Sequence, residues 1–147
     1  MSRHPSTRHF NVKIPVRFRD LDAIGHVNNS VYFTYLEEAR TAYWQELHHD
    51  YSYEVLDFVV ARAECDFVSA VELRETLRVE VRLSRIGTSS FVLVYELFDE
   101  RSERLVARGE TVQVMVDRKT GRRRQIEPEL RARMRSFSEH WGTTPGE

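Results

Sequence analysis

The sequence predicts an α+β domain in which a twisted antiparallel sheet wraps around one long helix. Apolar residues alternate with a period of two in several segments, and they follow a helical period in two others. The order along the chain is strand, loop, long helix, about four strands joined by short turns, and a terminal helix. We expect one domain over residues 1–147, since no repeat, linker or low-complexity segment divides the chain.

The first strand is predicted over residues 9–18, where apolar and polar side chains alternate. Pro15 indicates an edge strand or its start, because proline cannot donate to a sheet ladder. A loop rich in aspartate, asparagine and glycine follows, with the sequence RDLDAIGHVNN. The apolar face of the strand consists of Phe10, Val12, Ile14, Val16 and Phe18.

The long helix is predicted over residues 30–47. Asn28, Asn29 or Ser30 can cap it, because a short side-chain oxygen accepts a hydrogen bond from an unpaired N–H there. Its apolar stripe is wider than a surface helix needs, and this is why we expect the sheet to wrap around it. The stripe consists of Tyr32, Tyr35, Leu36, Ala39, Tyr43 and Leu47.

The second half of the chain is predicted to form a run of strands and a final helix. Residues 55–68 form one bent strand or two short ones, and further strands follow at 77–86, 91–98 and 105–116. Pro128 opens the last helix, because proline is favoured in the first helical turn. The apolar face of this helix consists of Leu130, Met134, Phe137 and Trp141.

The composition excludes several classes of protein. Apolar residues make up 41% of the chain and the mean hydropathy is −0.52, so we expect a soluble protein without a membrane span. The net charge of −1 argues against nucleic acid as the main partner. A single cysteine, Cys65, rules out an internal disulfide, and the sequence spells out no Cys–His metal cluster. The segment MSRHPSTRHF lacks the apolar core of a secretion signal, so we expect a cytoplasmic protein.

Residues 117–135 carry a local excess of positive charge, with eight basic residues against three acids. One interpretation is a solvated turn and helix face, and the other is a binding site for the phosphate groups of a small ligand. The basic residues are Arg118, Lys119, Arg122, Arg123, Arg124, Arg131, Arg133 and Arg135.

The densest group of ionisable residues lies in the loop before the long helix. A helix N-terminus presents unpaired N–H groups and about half a positive charge, which stabilise a developing oxyanion. Asp22, close in sequence to His26 and Asn29, is placed to attack an acyl carbon or to activate water there. The alternative is that the aspartates and asparagines only cap the helix and shape its entry loop.

The string FRDLDAIGHVNNSVYFTYLEEAR resembles the signature of hotdog-fold acyl-CoA thioesterases of the 4-hydroxybenzoyl-CoA thioesterase-like family. Less sharply, ECDFVSAV, VRLSRIGTSSFVLVYEL and TGRRRQIEPELRARM also resemble this family, so the likeness extends over most of the chain. The fixed positions that this chain keeps are Phe18, Asp20, Asp22, Gly25, His26, Val27, Asn28, Asn29, Tyr32, Glu37, Ala39 and Arg40.

The resemblance implies a hotdog fold, assembled as a homodimer or homotetramer with the active site at the subunit interface. It implies that Asp22 is the catalytic carboxylate, acting as nucleophile or general base. The backbone N–H of Asn29 then donates to the thioester carbonyl oxygen, and His26 and Asn28 line the same pocket. No metal and no cofactor are implied, apart from the coenzyme A that forms part of the substrate.

Two departures from the family pattern affect the expected site. In several relatives the turn after the third strand carries a basic residue for the coenzyme phosphates, whereas here it reads Gly87-Thr88-Ser89-Ser90. We therefore expect Ser89 and Ser90 in the substrate site, with Arg85 or the arginines at 122–124 supplying the charge. Ile24 stands where related plant acyl-carrier-protein thioesterases have asparagine, which weakens the analogy with their mechanism.

The sequence thus favours an enzyme that hydrolyses a fatty or aromatic acyl-CoA to the free acid and coenzyme A. A thiol with a pKa of about 8.5 leaves with little acid help, so one carboxylate and one oxyanion donor suffice. Two alternatives stay open: a non-catalytic module that binds acyl groups or coenzyme A, and a thioesterase for acyl-carrier-protein substrates. Acyl-chain preference does not follow from the sequence.

Overall fold

The structure is a computed structural model that describes residues 9–147, and it contains the predicted elements in the predicted order. The expectation about a secretion signal falls mainly on residues 1–8, which lie outside the described residues. The strands are β1 (Phe10–Pro15), β2 (Phe58–Phe67), β3 (Thr76–Ile86), β4 (Ser90–Asp99) and β5 (Leu105–Met115), and the helices are α1 (Asn29–His48) and α2 (Pro128–His140).

These five strands form one antiparallel sheet in the order β1-β3-β4-β5-β2, so β1 and β2 are its two edges. Helix α1 lies against the inner face of this curled sheet. Near the β1 edge, Phe137 of α2 and the following Trp141 contact Phe10 of β1 at ring distances of 6.1 and 6.0 Å. The predicted α+β fold, with a sheet around a central helix and a terminal helix, is confirmed.

The core lies between α1 and the inner face of the sheet. Trp44 of α1 stacks on Phe91 of β4 with ring centroids 4.9 Å apart, which fixes the carboxyl end of the helix over the start of β4. Nearer the amino end of α1, a β-carbon at Gly109 of β5 would lie 2.9 Å from the Leu36 side chain, so glycine permits a close approach of helix and strand. The predicted apolar stripe of the helix is buried, and burial of its two leucines, Leu36 and Leu47, contributes roughly 1.5–3 kcal/mol each to stability.

The first strand is shorter than predicted. β1 ends at Pro15, and Phe18, which we expected on the core face, begins a short 3-10 turn and is 80% exposed. The physical reason is Asp20, whose buried carboxylate accepts hydrogen bonds from the Arg17 backbone N–H (2.9 Å) and the Tyr35 hydroxyl (2.8 Å). These bonds turn the chain before the strand alternation can continue.

The segment predicted at 55–68 forms a single strand, β2, preceded by a 3-10 turn at Tyr53–Val55. Its register against β5 shifts between Val60 and Arg62, which accounts for the expected bend. Eight of the ten residues of β2 are exposed, so this edge of the sheet is uncovered. Within residues 9–147, no helix combines the length and apolar character needed to cross a bilayer.

Candidate functional site

Asp20 and Asp22 lie two residues apart but have different surroundings. Asp20 is only 2% exposed. Burial alone would raise the pKa of its carboxyl group, but hydrogen bonds from Arg17 and Tyr35 outweigh burial and lower that pKa. The Asp20 carbonyl also accepts the Asn28 N–H at 2.9 Å. Asp20 is therefore a buried anchor that positions the loop.

Asp22 is fixed by hydrogen bonds from its own loop to one of its two carboxylate oxygens. Its Oδ1 accepts hydrogen bonds from the backbone N–H groups of Ile24 (3.0 Å) and His26 (3.2 Å). Gly25 closes this turn with φ +83°, a left-handed conformation that costs glycine little. Asp22 Oδ2 makes no hydrogen bond to the described residues, so it is available at a fixed position.

The amino end of α1 lies next to this loop. Asn28 caps the helix, since its Oδ1 accepts hydrogen bonds from the Ser30 N–H at 3.0 Å and the Ser30 hydroxyl at 2.9 Å. Asn29 is the first helical residue, and its N–H has no acceptor within residues 9–147. An unpaired N–H at the positive end of the helix dipole is suited to bind a developing oxyanion.

His26 lies half-buried beside Asp22, and its ring makes no hydrogen bond or ion pair with the described residues. The following residue, Val27, donates to the Val71 carbonyl at 2.9 Å and pairs with Leu21, so the loop is closed across the start of the helix. The structure thus brings four predicted residues together at the amino end of α1: Asp22, His26, Asn28 and Asn29.

The described residues form neither a reactive cysteine nor a cluster of metal ligands. Cys65 is half-buried on β2, and burial raises the pKa of its thiol to about 11, so the thiol is protonated at neutral pH. Within residues 9–147, no three His, Cys, Asp or Glu side chains are grouped so that they could hold a metal ion.

The predicted substrate-binding serines lie at a different place, in the turn between β3 and β4. The Gly87 N–H closes this turn by donating to the Ser90 carbonyl at 2.7 Å. A cavity of about 310 Å³ opens beside the turn, while Arg85 is exposed and does not line it. We call this the phosphate cavity after the role that the sequence predicts for its serines and for the arginines at 122–124; its lining consists of Thr88, Ser89, Ser90, Val112, Val114 and Arg123.

The basic segment at 117–135 divides into structural side chains and free ones. Lys119, Arg122 and Arg123 have no side-chain partner in the part of the chain that the structure describes, and of these three Arg123 lines the phosphate cavity. The interpretation as a phosphate-binding site stays a prediction, and among the residues of this segment without a side-chain partner Arg123 is the one that lines the cavity. The five basic residues engaged in hydrogen bonds or ion pairs are Arg118, Arg124, Arg131, Arg133 and Arg135.

The two groups of predicted residues lie at opposite ends of α1. Asp22 is next to the first residue of this 20-residue helix, whereas Ser90 precedes Phe91, which stacks on Trp44 near the last turn. A helix of that length extends about 30 Å. One chain therefore does not bring Asp22 and the Ser89–Ser90 turn into a single site.

Sequence reasoning missed the apolar floor of the phosphate cavity, Val112 and Val114. Their signal was the alternation of β5, in which Thr111 and Gln113 face the core and the two valines face the other side. It also missed the role of Tyr35 in fixing Asp20. That contact joins residues 15 positions apart and has no local signal.

Comparison with known protein families and sequences gives consistent matches. A family model described as the thioesterase-like superfamily matches residues 16–134, which include both Asp22 and Arg123. The uncharacterized protein YsmA of Bacillus subtilis is 34% identical over 110 residues, or 75% of this chain and 74% of YsmA. The long-chain acyl-CoA thioesterase FadM of Escherichia coli is 29% identical over 127 residues, or 83% of this chain and 94% of FadM.

Solved structures match over a similar extent. A thioesterase from Thermus thermophilus, in complex with coenzyme A and zinc, gives a TM-score of 0.78 at 34% identity and covers 88% of this chain and 93% of its own. A predicted thioesterase from Bacillus stearothermophilus gives a TM-score of 0.79 at 26% identity, with 87% and 95% covered. Each of these likenesses therefore covers most of the chain.

Proposed function

The chain belongs to the thioesterase-like superfamily and is a thioester hydrolase, and we propose that it hydrolyses the coenzyme A thioester of a fatty or aromatic acid. The observation that carries this proposal is that Asp22, whose Oδ2 makes no hydrogen bond to the described residues, lies in the loop next to the unpaired Asn29 N–H at the start of α1. The acyl-CoA thioesterase FadM and the coenzyme A complex of the Thermus thermophilus thioesterase support the choice of substrate.

In this mechanism the thioester carbonyl oxygen accepts a hydrogen bond from the Asn29 N–H. Asp22 Oδ2 either attacks the carbonyl carbon or takes a proton from an attacking water. The carbon–sulfur bond then breaks and coenzyme A leaves as thiolate, which needs little protonation because the pKa of a thiol is about 8.5. The helix dipole stabilises the negative charge on the carbonyl oxygen. When Asp22 attacks, the acyl group stays on its carboxylate as a mixed anhydride, which water then hydrolyses. By either route the products are the free acid and coenzyme A, and the reaction needs no further cofactor.

The phosphate cavity is the proposed site for the phosphate groups of coenzyme A. Arg123 supplies a guanidinium with no competing side-chain partner in residues 9–147, and phosphate is a preferred ligand of arginine. Ser89 and Ser90 add hydroxyl donors that make no hydrogen bond to the described residues. Arg85 lies outside the cavity, so in this proposal Arg123 takes the role that we expected of Arg85.

The proposed active site needs a second copy of the chain, because its two halves lie at opposite ends of α1. Edge strand β2 is exposed along most of its length, and it presents Val59, Val60 and Phe67 at 51%, 40% and 43% exposure. An uncovered edge strand is a template for pairing with another strand. Antiparallel pairing of two β2 strands about a two-fold axis places the amino end of one α1 beside the carboxyl end of the other. We therefore propose a homodimer, or a homotetramer made of two such dimers, in the cytoplasm.

The test is hydrolysis of octanoyl-, palmitoyl- and benzoyl-CoA, followed with a thiol-detecting dye. We expect turnover of at least one ester by the wild type and a loss of at least about a hundredfold in Asp22→Ala, the scale expected for a key acid–base group. Asp50→Ala is the matched control, since Asp50 is an exposed aspartate at the other end of α1. Saturable binding without turnover would point instead to a binding module, and near-normal rates in a folded Asp22→Ala protein would rule out Asp22.

A further inference from the structure

Apolar side chains are exposed around the amino end of α1. Phe18 and Ile24 are 80% and 76% exposed, and Leu73 is exposed as well. Phe33 is a further exposed residue, one helical turn after Asn29 on the same face of α1. We call this set the amino-end patch; it consists of Phe18, Ile24, Phe33 and Leu73. The other exposed large apolar side chains within residues 9–147 are Tyr51 and Tyr53 near the opposite end of α1 and Val59, Val60, Phe67 and Val68 in or next to β2.

Backbone hydrogen bonds join the segments that carry the amino-end patch. Segment 71–75, which contains Leu73, accepts hydrogen bonds from the Val16 N–H at 3.1 Å and from the Val27 N–H at 2.9 Å. It therefore runs from the end of β1, just before Phe18, to the loop before α1. Exposed apolar side chains that lie together in this way mark a place where a ligand or another molecule binds.

Ile24 is the member of the patch next to the proposed catalytic carboxylate. Its backbone N–H donates to Asp22 Oδ1 at 3.0 Å, so its side chain is held beside the carboxylate group. The turn that carries Ile24 is closed by the Asp22 N–H, which donates to the His26 carbonyl at 2.7 Å. A β-branched side chain on a fixed turn has few conformations, so Ile24 is a preorganised apolar surface.

The proposed reaction determines which part of the substrate reaches this patch. The thioester carbonyl carbon, placed between the Asn29 N–H and Asp22 Oδ2, is bonded to sulfur on one side and to the acyl chain on the other. The sulfur leads to coenzyme A, whose phosphate groups are assigned to the phosphate cavity. The acyl chain must therefore follow a different surface next to Asp22, and hydrocarbon gains most from contact with exposed apolar side chains.

We propose that the amino-end patch binds the acyl chain, and that the substrates are coenzyme A esters of medium-chain and long-chain fatty acids. Ile24 is the specificity-determining residue beside the reacting bond, and Phe18 and Leu73 contact the chain farther from it. This inference rests on the proposed function, because the course of the acyl chain follows from the place of the thioester between Asp22 and Asn29. A second copy of the chain is assigned to the β2 edge, which leaves this patch to the substrate.

The experiment is isothermal calorimetry of the purified protein with two thioethers, S-ethyl-CoA and S-octyl-CoA. Neither has a carbonyl group, so neither is a substrate or a product of the proposed reaction. We expect the wild type to bind S-octyl-CoA at least about tenfold more tightly, because burial of each methylene group is worth about fourfold in affinity. Ile24→Asn keeps a residue suited to turns but removes the hydrocarbon, and we expect this affinity ratio to fall about fivefold. Ile24→Leu should keep the wild-type ratio.

A matched control and a second measurement separate this proposal from its alternatives. Tyr53→Asn is the control, since Tyr53 is 75% exposed but lies near the opposite end of α1, and we expect it to keep the wild-type ratio. Equal affinity for the two thioethers, or an unchanged ratio in Ile24→Asn, would overturn the proposal, as would tighter binding of S-benzyl-CoA than of S-octyl-CoA. Loss of the wild-type oligomer by Ile24→Asn in analytical ultracentrifugation would assign the patch to a second copy instead. The titrations need no turnover, so a failure to hydrolyse any of the tested esters would overturn the proposed activity and leave this result intact.

Discussion

The two ends of α1 use their polar groups in different ways. At the amino end, hydrogen bonds within the loop and helix start fix Asp22 and Asn28, while Asp22 Oδ2 and the Asn29 N–H have no partner within residues 9–147. Near the carboxyl end, the side chains of Ser89 and Arg123 line a cavity and make no hydrogen bond within residues 9–147. Preorganised groups lower the cost of reaching a charged transition state, whereas a phosphate-binding side chain needs mainly access and charge. The amino end is therefore suited to chemistry and the carboxyl end to binding.

The two edges of the sheet differ in a related way. β1 is partly covered, because Phe10 packs against the aromatic rings of α2 and of Trp141. β2 has eight exposed residues out of ten. The fold covers one edge of the sheet and leaves the other exposed. We therefore expect two chains to pair through β2, which brings the amino end of one α1 and the carboxyl end of the other into one site.

The largest expected effect comes from disrupting the proposed pairing of two β2 strands. Val60→Asp places a charge on exposed β2, and we expect monomers in analytical ultracentrifugation with hydrolysis reduced about a hundredfold, as when reacting groups lose their relative positions. Lys13→Asp on β1 is the control at the opposite edge, and we expect it to remain oligomeric and active. A fully active Val60→Asp monomer would show that one chain holds the whole site.

A smaller effect is expected at the binding end of α1. Arg123→Gln should raise KM for an acyl-CoA about tenfold with little change in kcat, because the arginine contacts a part of the substrate far from the reacting bond. Arg122→Gln is the matched control, since Arg122 does not line the phosphate cavity. Acyl-pantetheine has no nucleotide phosphates, so Arg123→Gln should hydrolyse it like the wild type. An equal KM increase for both substrates would place Arg123 elsewhere in the mechanism.

The smallest expected effect concerns the stability of the amino end of α1. Asn28→Ala removes the cap of α1, and we expect the free energy of unfolding in urea to fall by about 1 kcal/mol. Asn28→Asp retains a capping oxygen and should keep the stability of the wild type. If Asn28→Ala unfolds like the wild type but loses most activity, the amide of Asn28 serves the substrate and not the helix.

Local sequence signals predicted the amino end of α1 well. Asp22, Asn28 and Asn29 lie within eight residues, so their geometry depends on a turn and a helix cap that short-range hydrogen bonds specify. The same reasoning failed at Phe18. The bond that ends β1 early joins Asp20 to Tyr35 on the next element, and strand alternation carries no record of it.

The sequence by itself determined the order of elements, the buried face of α1 and the residues around Asp22, because periodicity and capping act over a few neighbouring positions. Only the tertiary structure decided which arginine of the basic segment lines the phosphate cavity, and that Ser89 and Asp22 lie at opposite ends of one helix. It also decided which sheet edge stays uncovered. These properties depend on strand order and on contacts between distant residues, since a residue's alternation encodes the face that it occupies but not the strand beside it.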